Sequence, residues 1–125
     1  MKFSLSQYPA EIVQAAQRVN AIEHQMNEIR QHLSRLENNA DMVVAFEANL
    51  KNETQRKARR FEVLQANLEY EKTLKVLTHL TTDKANAMAY LEYLRNEFSI
   101  AKLEVRQSIT QQLMGIESQE LVGLY

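Results

Sequence analysis

Lys51, Arg56, Lys57, Arg59 and Arg60 form the one dense charge cluster in this sequence. Residues 51–75 carry a net +3, whereas the segments before and after them carry −2 each. At helical spacing Arg56, Arg59 and Arg60 share one face. Asn52 reads as the N-cap of that helix, with Glu53 in the first turn and Gln55 three residues on, a variant of the capping box. Arginines beside a helix N-terminus suit a phosphate. The same residues also suit a solvated face that pairs with acidic residues of the preceding helix, and this is the favoured reading. Phe61 and Tyr70 follow at helical spacing and read as core packing rather than as stacking platforms for bases.

His24, Glu28 and His32 stand at i, i+4 and i+8, a spacing able to chelate a metal. All three lie off the apolar stripe and read as surface residues. No histidine has a Glu three residues before it, so a ferritin-like di-metal centre is excluded. His79 sits beside Thr78 and Thr81 with no carboxylate placed to orient it. There is no cysteine, and the two glycines, Gly115 and Gly123, cannot build a phosphate loop or a nucleophile elbow. The chain reads as non-enzymatic, without cofactor or metal. Met88, Tyr90, Tyr93 and Phe98 are spaced to pack a dimer, with Tyr90 and Tyr93 toward the rim of an interface, where aromatics and Met are enriched.

The elements that would position these groups are helices. The chain has 125 residues, a net charge of −1 and 45% hydrophobic residues, which fits one folded domain and gives no whole-chain attraction to nucleic acid or acidic lipid. An average chain of this length would hold roughly nine Gly and six Pro; this one holds two and one, too few for the turns of a β-rich fold. No apolar run reaches the ~20 residues that span a bilayer, and the N-terminus lacks a signal-peptide core, so the expectation is a cytoplasmic protein without membrane contact.

Pro9 suits a first helical turn. From there Ile12, Val19, Met26, Leu33 and Ala40 recur at one position of a heptad, and Ala15, Ile22, Ile29, Leu36 and Val43 at the other. That period predicts a coiled-coil helix over about 9–37. Asn38-Asn39-Ala40-Asp41 is expected to end it, leaving an irregular connector over about 38–52. A long helix then runs over about 53–114, with a short tail at 115–125 whose apolar end, Leu121 to Tyr125, packs or frays. Leu77, Leu91, Phe98 and Val105 hold one heptad position, interrupted by Lys84. Leu80, Ala87, Leu94, Ala101 and Ser108 hold the other. A turn at Thr81-Thr82-Asp83 would give a compact three-helix bundle instead, but the phase runs through without a reset.

On these lengths the first helix spans on the order of 45 Å and the second on the order of 90 Å. The first covers half of the second, leaving Leu91, Leu94, Phe98, Val105 and Ile109 wet. Each is worth about 1.5–3 kcal/mol when buried, so a second copy is expected to cover them. The predicted fold is therefore all-α: an antiparallel coiled-coil helical hairpin with a long second helix, assembling as an elongated homodimer.

The segment Leu50-Lys51-Asn52-Glu53-Thr54-Gln55-Arg56-Lys57-Ala58, with the later run from Arg95 to Glu104, resembles small uncharacterised helical proteins of phages, prophages and plasmids. The resemblance covers about half of the chain and implies a mobile-element accessory role without catalytic residues. The function expected from the whole is a coiled-coil scaffold or adaptor acting through homodimerisation and an unknown protein partner. The alternative is an accessory protein contacting nucleic acid through Lys51, Arg56, Lys57, Arg59 and Arg60.

Overall fold

The computed structural model describes residues 3–123, with side chains described through 117. Three helices follow one another: α1 (Tyr8–Ala45), α2 (Glu53–Ala66) and α3 (Leu68–Gly123). The fold is all-helical, and no helix is long and apolar enough to cross a membrane among the described residues. The chain divides into two units. One is Arg18–Ala87; the other joins the start of the chain through Gln17 with the part from Met88 onward.

Within Arg18–Ala87 the three helices pack as a bundle. Ile22, Met26 and Ala87 form its buried cluster, flanked by Val19, Leu77 and Leu80. Leu33, Leu36, Ala40, Val44 and Leu64 are also buried. Ile22 lying by Ala87, and Glu37 by Tyr70, show that α1 and α3 run antiparallel in this unit. In the other unit Tyr8 is 2% exposed and stacks on Phe98 at 5.5 Å between ring centroids, with Phe3 edge-on at 5.8 Å. Ala15, Leu91 and Leu94 are buried there as well.

Three boundaries differ from the sequence-based expectation. First, α1 continues through residues 38–45 instead of giving way to a connector there. Asn38 and Asn39 are exposed and Asp41, also exposed, meets Arg60 of α2, while Ala40 and Val44 are buried, so the polar run lies off the buried row and does not interrupt packing. The buried position passes from the expected Val43 to Val44, because an α-helix of 3.6 residues per turn drifts against a strict heptad.

Second, the helix after Asn52 breaks at Asn67. Its φ/ψ of −86/105 is extended, its N–H donates to Leu64 O at 3.1 Å, and its Oδ1 accepts from Glu69 N and Tyr70 N at 3.0 and 3.3 Å. One residue thus closes α2 through its backbone N–H and caps α3 through its side chain. Thr81-Thr82-Asp83, the alternative break, is uninterrupted helix. Its hydroxyls bond back to Leu77 O and Thr78 O at 2.8 and 3.3 Å, which satisfies them without opening the chain. Third, α3 passes the expected end near Met114 and runs through Gly115, which has nothing within 4 Å of its Cβ position. The packing expected of Leu121 to Tyr125 lies outside the described side chains.

Candidate interaction surfaces

Asn52 caps α2 as expected, its Oδ1 accepting from Gln55 N at 2.9 Å, while Gln55 Oε1 reaches back to Lys51 N at 2.7 Å. The cap aligns α2 so that the basic cluster divides between two directions. Arg59 turns toward the connector after α1 and Arg60 toward α1 itself. Arg59 Nε donates to Glu47 Oε1 at 2.7 Å, and its Nη1 to Glu62 Oε2 at 3.2 Å. Arg60 Nε donates to Asp41 Oδ1 at 2.6 Å, with Glu37 Oε2 at 3.7 Å from its Nη2. These carboxylates raise both guanidinium pKa values above the ordinary arginine value: Glu47 and then Glu62 for Arg59, Asp41 for Arg60. Arg56 Nη1 lies 3.8 Å from Glu53 on its own helix. Among the described residues, Lys51 and Lys57 have no carboxylate within 4 Å. The arrangement spends one of the three facing arginines, Arg60, on joining α2 to α1, and a second, Arg59, on tying α2 to the connector that precedes it.

The bend at Asn67 leaves an open groove of about 760 Å³ lined by Lys57, Arg60, Phe61, Leu64, Tyr70 and Leu74. Phe61 is 62% exposed on its wall and does not pack into the core as expected. Tyr70 is half-buried. Its hydroxyl donates to Glu37 Oε1 at 3.4 Å, and burial, followed by the Glu37 charge, pushes its pKa up.

Lys84, the break in the apolar seam of α3, has a partner the sequence did not reveal. Its ammonium faces Glu23 Oε2 on α1 at 2.6 Å, and Arg30 reaches Glu23 Oε1 at 3.3 Å. Lys84, followed by Arg30, holds the Glu23 carboxyl below its usual pKa. A charged pair at a seam position fixes which layers of two helices meet. His32 also bridges helices, with Nε2 at 2.9 Å from Glu69 Oε1, while His24 pairs only with Glu28 at 3.2 Å. The i, i+4, i+8 triplet therefore splits in two directions. No group of three His, Asp or Glu able to hold a metal occurs among the described residues.

The five residues assigned to a dimer surface also divide. Leu91 and Leu94 are buried within their own chain at 8% and 1% exposure, and Phe98 is half-buried beneath Tyr8. The expectation that these three lack an intramolecular cover is corrected. Val105 and Ile109 remain 40% and 50% exposed. Leu113 and Ile116, which sequence reasoning missed, are uncovered at the same helical spacing. From Lys102 to Glu117 every residue is exposed. At the upper end of this stripe the Lys102 ammonium sits 4.5 Å from the centre of the Phe98 ring. Tyr90 and Tyr93 stack at 6.3 Å on a separate exposed face.

No family model matches this sequence, and no curated protein or solved structure matches it significantly. The class defined here is that of a helical-bundle protein whose last helix, from Lys102 to Glu117, is left uncovered by the described residues.

Proposed function

We propose that this protein is a non-enzymatic helical scaffold or adaptor that works as a homodimer, pairing through the C-terminal half of α3 in coiled-coil fashion and offering its remaining faces to a protein partner. The observation carrying this reading is the continuity of one seam. Leu91, Leu94 and Phe98 are covered, and Val105, Ile109, Leu113 and Ile116 extend the same row uncovered. Helices in proteins draw most of their stability from packing of an apolar face, and a stripe of this length in water lacks that support. A second copy related by a two-fold axis brings an identical stripe and leaves no further sticky end.

The test is light scattering on the intact chain beside a Val105→Asp/Ile109→Asp variant. The expected result is twice the chain mass for the unaltered protein and a single-chain mass for the variant, with the cooperative unfolding of the bundle retained. A variant that stays dimeric would remove the stripe as the pairing surface.

A further inference from the structure

Resting on the adaptor reading, we infer that the groove at the α2–α3 bend takes a short segment of the partner protein in which one Asp or Glu stands between large apolar side chains. All the residues that line it belong to the Arg18–Ala87 unit. Leu64 is buried there, whereas Phe61 on α2 and Leu74 on α3 stay 62% and 41% exposed. Tyr70 spends its hydroxyl on Glu37 of α1, so it adds ring surface to the wall rather than a free donor. A second depression of about 410 Å³, lined by Val44, Glu53 and Arg56 among others, shares Lys57 and Arg60 with the groove. Together the two follow α2 from Glu53 to Leu64, roughly 16 Å. Small-molecule pockets enclose most of their ligand's surface, and an open trough does not. It suits a stretch of peptide held by a few apolar anchors.

Charge selects the segment. Between Lys51 and Lys75 every carboxylate already has a basic partner: Glu53 has Arg56, Glu62 has Arg59, Glu71 has Lys75, and Glu69 has the His32 ring. Lys51, Lys57 and Lys72 have no carboxylate within 4 Å among the described residues, and of these Lys57 alone lines the groove. Arg60 beside it is engaged by Asp41 at 2.6 Å. The trough thus holds one unmatched ammonium between apolar walls, and a single carboxylate from a partner completes it. Asp41, Glu53 and Glu71 line the same trough and repel a polyanion, so a nucleic-acid backbone is the poorer occupant.

Random peptides displayed on phage and selected on the intact chain provide the probe. The expected result is enrichment of sequences with one acidic residue flanked by Leu, Ile, Phe or Trp. A selected peptide made with one Trp reports its own binding, since the chain contains none. Phe61→Asp should weaken that peptide about tenfold or more, with the urea midpoint retained because Phe61 is exposed. Lys57→Glu should weaken it about tenfold at low salt, and exchanging the peptide's acidic residue for Lys should restore binding to that variant. No enrichment, enriched peptides without an acidic residue, or equal binding to Phe61→Asp overturns the inference. So does a single-stranded oligonucleotide that displaces the peptide, or a loss of dimer mass in Phe61→Asp, which would put a second copy in the groove. The pairing through α3 is tested apart. Val105→Asp/Ile109→Asp should bind the peptide as the unaltered chain does, and a single-chain mass for the unaltered protein overturns the dimer while leaving the groove standing.

Discussion

Replacing Ile109 by Ala separates the two jobs that one seam performs along α3. Full burial of an isoleucine is worth about 1.5–3 kcal/mol. Ile109 is 50% exposed in the single chain, so roughly half of that gain is still available to a partner. A two-fold axis counts the residue twice, and Ile109→Ala should weaken the dimer by about 1.5–3 kcal/mol, or about 10–150-fold in Kd. The fold of the single chain should barely notice, since surface changes of this kind stay within about 0.5 kcal/mol. Leu94→Ala, about three helical turns before the open stripe, must do the reverse. Leu94 is 1% exposed, and emptying such a site costs about 2–5 kcal/mol of folding stability. Sedimentation equilibrium gives the dimer Kd, and urea unfolding at a concentration below that Kd gives the stability of the single chain. If Ile109→Ala left the Kd unchanged, or lowered the urea midpoint of the single chain as far as Leu94→Ala, the division of the seam at Phe98 would be refuted.

Asn67→Ala removes the acceptor for Glu69 N and Tyr70 N and should cost about 0.5–2 kcal/mol in urea unfolding; Asn67→Asp, which keeps the acceptor, should stay close to the original. Glu23 has a depressed pKa, so its ion pair contributes stability that is present above the unfolded-state value, about 4.3, and is lost as pH falls through the lower folded value. Urea midpoints taken from pH 7 down to pH 3 should therefore fall less steeply in Glu23→Gln than in the unaltered chain. Arg60→Ala loses a half-exposed pair with Asp41 and should cost only about 0.2–1 kcal/mol by the same unfolding assay. With Arg59 held by Glu47 and Arg60 by Asp41, binding to single- or double-stranded nucleic acid should be weak even at low salt; an affinity that falls steeply with salt would show the basic face contacting phosphates.

The heptad rows of α1 and α3 were legible because a buried face needs apolar residues at fixed angles, and Ala15, Ile22, Met26, Leu33, Leu91 and Leu94 all lie inward. The polar residues Asn38, Asn39 and Asp41 do not end α1, because angular position outweighs residue type: those side chains sit off the buried row, which continues through Ala40 and Val44. Asn67 ends α2 without the Gly or Pro that usually marks a break. Asn followed by Glu69 and Glu71 is itself a helix start signal, and an Asn can end one helix while capping the next. The longer α1 then reached Phe98 and covered Leu91 and Leu94, which moved the open stripe toward Leu113 and Ile116. Pairings such as Lys84 with Glu23, or Arg60 with Asp41, depend on the relative level of two helices, which no single-helix pattern encodes.

Sedimentation equilibrium of the unaltered chain over a range of concentrations bears most directly on the claim that a second copy covers Val105, Ile109, Leu113 and Ile116. A reversible shift from one chain mass to two as concentration rises is the predicted result. One chain mass at every concentration, up to hundreds of micromolar, would contradict it.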